Sequence, residues 1–375
     1  MTASRDDFAA FEPSAQRQRR GGGWVTPAVG AVLLAIFAAL PFLDIALPVV
    51  LASSLSSPAT LALLSVCLVF AVLALSFDLI FGYAGLLSFG HVLYFALGMY
   101  CTEFLLRSGL SLIPAIVLAA AISMGVAVIL NIPALRVRGI AYGMVTMAFA
   151  EAFYVFLLAD PLHMTGKEEG LRLTTTQLPD WLRGVANADN RYWLALGLLA
   201  LSIVVAWRLT RAQSGRSWVA IRENENRVEA LGLVTRTPKL QVVGIAAVIA
   251  SLAGSVYLIV VLGASPELAS PNYSLSLMVM VVLGGVGRVW GAALGGFLYG
   301  LLTLRIPALG AEGLLGELPE WLGNLLSEPS FILGIIFILF VLFAPGGIAG
   351  IAQRIRESSI LRRRGQQSET SAALR

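Results

Sequence analysis

The sequence predicts an all-α, polytopic membrane protein of about ten transmembrane helices, some short or broken, with one short helix on the cytoplasmic side. Three observations predict it. Hydrophobic residues make up 58% of the 375 positions and 37 more are glycine; together these are about two thirds of the chain, where soluble proteins carry roughly 45–50%. At only 13% charged residues, folding in water would leave large apolar patches exposed, which a bilayer covers. Apolar runs recur at the length a spanning helix needs, since about 20 residues at 1.5 Å rise cross a hydrocarbon core of roughly 30 Å. The basic residues, finally, sort to alternate loops.

The chain opens on a polar segment, 1–27, with Arg17, Arg19 and Arg20 near its end. The apolar run after it, 28–50, exceeds the roughly 7–15 residues of a signal-peptide core, so it reads as a retained first span. Spans two to seven follow at 59–81, 86–106, 112–130, 139–159, 192–209 and 240–262. The eighth and ninth, 272–287 and 289–306, are short and interrupted by glycine, so broken or re-entrant helices are expected there. The tenth is 330–348. Residues 28–350 thus form one transmembrane domain with a long inner loop at 210–239. The basic tail, 351–375, reads as a mobile segment near anionic lipid or as a plain stop-transfer flank.

Ten crossings place both termini on one side. With both in the cytoplasm, 20 of the 26 Lys and Arg are inside: four before residue 27, Arg136 and Arg138, seven from Arg208 to Lys239, Arg288, and six after residue 350. The outer loops hold Arg107, Lys167, Arg172, Arg183, Arg191 and Arg305, and segment 307–330 bears Glu312, Glu317, Glu320 and Glu328 without a base. This is the positive-inside pattern. It explains the net charge of +4 with the lipid bilayer as partner and no nucleic acid.

Enzymatic motifs are missing, and no cofactor is expected. The one Gly-Lys pair, Gly166-Lys167, is followed by Glu168, and Pro161 stands where the first P-loop glycine belongs, so any ATP chemistry falls to another chain. His91 and His163 are 72 residues apart, without the spacing of a metal pair. His91 reads as a packed or water-facing histidine. Cys67 and Cys101 lie in apolar runs as small hydrophobes.

The acidic residues inside the spans are Asp44, Asp78, Glu103 and Glu151. Glu151 is central in the fifth span, where an unpaired charge costs about 2.5–3.5 kcal/mol on insertion scales, so it should face protein or water. It reads either as a translocation-path residue or as a hydrogen-bonded packing residue. Gly291, Gly295, Gly296 and Gly300 give two successive GxxxG spacings, which let helices approach closely. Gly82-Tyr83-Ala84-Gly85 and Gly284-Gly285-Val286-Gly287 both stand at span edges and hint at an internal repeat with broken helices near a central pathway.

In the inner loop, Gly215 and Gly232 bracket a helix-prone stretch. Trp218, Ile221 and Val228 can share one side, and Glu223 and Arg227 form an i,i+4 pair. Such a helix either docks into a groove on a partner or lies against its own bundle or the headgroups.

The string GRSWVAIRENENRVEALGL in this loop resembles the cytoplasmic coupling segment of branched-chain amino acid ABC importer permeases of the LivM type. The runs FGYAGLLSFGHVLYFALGMY, LRVRGIAYGMVTMAFAEAF, TGKEEGL, KLQVVGIAAVIASLAGSVY, VVLGGVGRVWG and LFAPGGIAG follow the family's order, so the resemblance covers about residues 75–350. It implies a transport subunit, not an enzyme, in the bacterial inner membrane. It pairs with a second related permease, binds two cytoplasmic ABC ATPases and takes substrate from an extracytoplasmic solute-binding protein. Gly215, Arg216, Ala220, Ile221, Arg222, Glu223 and Gly232 would form the ATPase-facing segment. Residues around Gly82, Tyr83, Gly85, Gly90 and 139–151, Glu151 included, resemble core motifs and are candidates for the translocation path. The family often has a second glycine after Thr-Gly in the outer loop, where this chain has Lys167. The related urea and short-amide permeases stay open as alternatives, as does, from the residues alone, an ion-coupled carrier.

Overall fold

The computed structural model describes residues 25–42 and 57–311, apart from 162, 174, 185 and 186, and scattered positions between 331 and 350. The polar N-terminal segment to residue 24, Asp44, the acidic segment from 312, most of the tenth span and the basic tail lie outside the described residues.

Ten α-helices follow one another among the described residues. The first, α1 (Val25–Ala39), runs into a short 3-10 turn, Leu40–Phe42. The second, α2 (Pro58–Asp78), starts on a firm signal: the Ser57 side chain accepts the Thr60 amide at 3.3 Å, and Pro58 occupies the first turn, where its missing N–H costs nothing. Its end widens into a π-turn, Leu79–Tyr83. After an irregular stretch come α3 (Val92–Arg107), α4 (Leu112–Ala134) and α5 (Ile140–Ala159). Then follow α6 (Ala188–Arg211), α7 (Gln213–Ala230), α8 (Arg236–Val261), α9 (Pro271–Gly284) and α10 (Val289–Ala311). Among the described residues, six apolar stretches are long enough to cross a membrane: Pro58–Tyr83, Leu112–Ala134, Ile140–Ala159, Ala188–Arg211, Arg236–Val261 and Val289–Ile306.

Burial sorts these helices into a centre and a rim. The most apolar windows of α2 and α8 are 89% and 78% buried, whereas those of α4, α5 and α6 are 28–33% buried. A helix apolar on all sides belongs in the interior, while one with an outward apolar face meets lipid or another subunit. In the centre, glycines bring backbones together. A Cβ on Gly98 of α3 would lie 2.1 Å from the Ser251 carbonyl oxygen, and one on Gly254 of α8 would lie 2.0 Å from that of Phe95. The GxxxG series on α10 works the same way. Gly295 faces the Met280 carbonyl of α9, and Gly296 and Gly300 abut Phe70 and Cys67 of α2.

Two spans differ from the sequence expectation. The ninth is not short: α10 is 23 residues, because its glycines serve close packing and do not interrupt the hydrogen-bond ladder. The eighth is short, at 14 residues, about 21 Å at 1.5 Å per residue. The third begins at Val92 instead of 86, since 84–91 is irregular and folds against α5. A Cβ on Gly90 would lie 2.4 Å from the Thr146 carbonyl oxygen, and the Thr146 hydroxyl accepts the Phe89 amide at 3.1 Å. His91 is fully buried there, Nε2 2.8 Å from Ser76 Oγ, beside the rings of Phe77 and Tyr94. It is the packed histidine of the sequence reading.

The connections alternate between two ends. One end carries 84–91, 135–139, α7 and 285–288. The other carries 108–111, the long loop 160–187 and 262–270. At that second end a two-residue ladder pairs β1 (Leu171–Arg172) antiparallel with β2 (Gly263–Ala264). Asp160, in a left-handed conformation after α5, accepts the amides of Met164 and Thr165 at 2.6 and 2.8 Å. Those amides, Thr165 first, hold its carboxyl below the usual range.

Candidate functional site

The α7 end gathers most of the residues singled out in the sequence, beginning with α7 itself. It starts against the end of α6, where Gly215 is buried and a Cβ would lie 2.4 Å from the Thr210 carbonyl oxygen. Trp218 and Ile221 turn inward; the Trp218 ring is fully buried and its Nε1 donates to the Pro238 carbonyl at 3.0 Å. Arg216, Ala220, Arg222 and Glu223 are exposed. Gly232 closes the element with a φ of +78°, its amide bonded to the Glu229 carbonyl at 2.9 Å, the left-handed stop that favours glycine. Beyond it Leu231, Leu233 and Val234 are 74%, 61% and 69% exposed.

The helix is not continuous, which corrects the expected Glu223–Arg227 pair. Asn224 is extended, at φ −163° and ψ 98°, and its Oδ1 accepts the Arg227 amide at 2.9 Å. The asparagine thus ends one helix and caps the next, so Glu223 and Arg227 do not occupy successive turns of one ladder. The ion pairs form with other elements. Glu225 pairs with the buried Lys239 of α8, and its other oxygen lies 3.8 Å from Arg138 Nε. Arg138 Nη2 is 2.9 Å from Glu229 Oε1, and the single Thr235 hydroxyl proton is shared between the two glutamates, with Oγ1 3.0 Å from Glu225 Oε1 and 3.1 Å from Glu229 Oε1. Partial burial raises the Glu225 carboxyl, but Lys239, Thr235 and Arg138 outweigh it and hold it below its ordinary value. Sequence reasoning missed this network, although Lys239 at the mouth of an apolar helix was a signal for a buried partner.

The first half of α7 reaches a second cluster. Arg222 Nη1 donates to the carbonyl of Gly82, in the π-turn after α2. Its stem crosses Gly85, where a Cβ would lie 2.7 Å from Arg222 Cγ. Gly287, in the α9–α10 turn, is in tight contact too: a Cβ there would be 3.2 Å from Arg222 Nη1 and 3.3 Å from the Gly82 oxygen. The Gly287 amide donates to the fully buried Asp78 at 2.8 Å. The two glycine motifs paired in the sequence therefore meet in space. Tyr83 is half-buried at the end of the π-turn, and Gly90 packs on α5.

Glu151 stands apart. It is exposed on α5, on a face shared with Met144, Met147 and Val155, which are 67%, 42% and 52% exposed. Glu103, by contrast, is buried and paired with Arg107 at 2.7 Å. No group of three or more His, Cys, Asp or Glu able to hold a metal occurs among the described residues.

Residues 59–344 match the family model described as branched-chain amino acid transport system / permease component. The high-affinity branched-chain amino acid transport system permease protein LivM of Escherichia coli (strain K12) is 28% identical over 265 residues, 64% of this chain and 62% of that protein. The protein of the same name from Salmonella typhimurium is 30% identical over 243 residues, 59% of this chain and 57% of that one. A probable branched-chain amino acid transport permease protein LivM of Methanocaldococcus jannaschii is 25% identical over 320 residues, 74% of this chain and 89% of its relative. The matched stretches thus span less than two thirds of the two enterobacterial relatives. No solved structure matches. The family model covers some three quarters of this multi-pass, all-α membrane chain, which belongs to the branched-chain amino acid transport system permease family.

Proposed function

We propose that the chain is one transmembrane subunit of an ATP-driven importer for branched-chain or other hydrophobic amino acids, in the bacterial inner membrane with both termini cytoplasmic. A second related permease pairs with it, and two cytoplasmic ABC ATPases hydrolyse ATP for it. An extracytoplasmic binding protein delivers substrate to the end bearing loop 160–187. The observation that carries this reading is α7. Its buried face, Trp218 and Ile221, is held to the bundle, while Arg216, Ala220 and Glu223, with Leu231, Leu233 and Val234 beyond, stay exposed on the positively charged side. Such a face, small, charged and apolar in turn, suits a protein partner.

ATPase closure and reopening would displace α7 and bias the permease pair between outward and inward openings, which is alternating access through differential contacts. Glu151 supports a path at the interface between the two permeases. A carboxylate at mid-span on an outward face costs about 2.5–3.5 kcal/mol against lipid, so a water-filled route or a polar partner must cover it.

Leucine uptake by vesicles containing the assembled complex tests the proposal. Uptake that requires ATP and the ATPase subunits is the expected result. Uptake driven by a proton or sodium gradient without ATPases would replace it with a secondary carrier.

A further inference from the structure

Arg222 is exposed like Arg216 and Glu223 but differs from them in its contacts. Among the described residues, Arg216 and Glu223 make no polar contact with another element, whereas the Arg222 guanidinium inserts between Gly82 and Gly287 with its stem along Gly85. Each glycine is needed for that fit. Gly85 and Gly287 adopt φ of +70° and +73°; a Cβ on Gly82 would lie 2.0 Å from Asp78 Oδ1 and one on Gly85 2.7 Å from Arg222 Cγ, while one on Gly287 would crowd Arg222 Nη1 at 3.2 Å. The acceptor is also unusual. In the π-turn that ends at Tyr83, the Leu79 and Ile80 carbonyls accept the Ala84 and Leu86 amides at 3.3 and 3.0 Å, whereas the Gly82 carbonyl accepts the Arg222 guanidinium.

Three elements meet at this point: the end of α2, the α9–α10 turn and α7. Asp78 joins the first two through the Gly287 amide, and the Arg222 charge faces its carboxylate. Further along, the glycines of α10 bring it into close contact with both α9 and α2. A displacement at the turn therefore moves three packed helices together, because close-packed interfaces shift as units. The other polar links of α7 leave from elsewhere. Trp218 bonds Pro238, only 20 residues on, and the Glu225 and Glu229 pairs belong to the half after the Asn224 break.

We propose that Arg222 is a positioning residue through which movement of α7 reaches the α2 end and the α9–α10 turn, a side-chain latch seated in the Gly82–Gly85–Gly287 cradle. This rests on the reading of α7 as the ATPase-driven segment. The latch predicts a division of labour on one helix: exposed Arg216 and Glu223 serve association, and Arg222 serves transmission.

Two measurements test it. In the purified chain, amide hydrogen exchange at 82–86 and 285–288 should rise about tenfold in Arg222→Gln, less in Arg222→Lys, and not at all in Arg216→Gln. Unchanged exchange in Arg222→Gln overturns the latch whatever the protein transports. In the reconstituted complex with leucine, Arg222→Gln should keep its ATPases bound and hydrolysing while ATP consumed per leucine imported rises about tenfold, with Arg222→Lys intermediate. A wild-type ratio, or loss of the ATPases from the complex, overturns transmission through Arg222. If Arg222→Gln does not assemble, the same two readouts on Arg222→Lys decide. A wild-type complex without ATP-driven uptake would remove the functional reading, and the transmission role with it, leaving the exchange result to stand on the geometry alone.

Discussion

The Gly287 amide donates to Asp78 Oδ1 at 2.8 Å, joining positions 209 residues apart. Asp78 is fully buried immediately before the π-turn, and Gly287 has the positive φ that aims its N–H inward. One carboxylate thus fixes the end of the most buried helix to the α9–α10 turn. Replacing Asp78 by Ala leaves a buried amide without its acceptor, a loss of about 1–3 kcal/mol. Asp78→Asn keeps an acceptor and should lose less than half as much. Thermal unfolding of the detergent-purified chain checks this order; equal stability of Asp78→Ala and wild type would contradict it.

The glycine contacts between α3 and α8 make a second prediction. Gly254→Ala places a methyl group 2.0 Å from the Phe95 carbonyl oxygen, so the helices must separate, at a cost of about 1–3 kcal/mol or more. Gly125→Ala on α4 meets nothing within 4 Å and should be neutral or stabilising by up to about 1 kcal/mol. Unfolding midpoints that fall for Gly254→Ala and hold for Gly125→Ala are expected.

The Glu225 network predicts a pH response with a definite sign. Its folded carboxyl is held below the ordinary value, about 4.3 for Glu. The contribution to seating α7 is therefore fully present above that value and is lost as pH falls through the lower, folded value. Trp218 fluorescence should stay constant from pH 8 to 5 and shift toward an exposed ring only in stronger acid. Glu225→Gln should abolish that acid step; a step surviving in Glu225→Gln would assign it to another group.

Glu151 is predicted to act in transport and not in subunit folding. Glu151→Leu should cut leucine uptake about tenfold or more while the ATPases still co-purify, and Glu151→Gln should fall between. Wild-type uptake by Glu151→Leu would show that the carboxylate faces nothing the substrate meets.

The spans were legible because length and apolarity report directly on the bilayer, and α2, α4, α5, α6 and α8 fall close to the expected ranges. The rest depends on contacts between distant residues. Glycines 291–300 look the same in sequence whether they break a helix or pack it, and only the facing Met280 and Phe70 backbones decide for packing. Asn224 stands in a stretch with full helical periodicity, and its side-chain bond to the Arg227 amide, worth about 1 kcal/mol as a cap, divides α7. Of the cradle, the sequence drew attention to Gly82, Gly85 and Arg222 by resemblance and to the Gly287 motif as a possible repeat. Their meeting, and the role of Asp78 between them, needed the fold. Glu151 was visible as a mid-span charge, but which way it faced was not.

The account stands or falls on α7 lying on the cytoplasmic side with its Glu223 face open to a motor subunit. A single-cysteine chain, Glu223→Cys with Cys67 and Cys101 replaced by Ala, labelled by a membrane-impermeant maleimide, tests this. Inverted vesicles should label and intact cells should not, and bound ATPase should block the reaction. Labelling from the outside of intact cells would contradict the account.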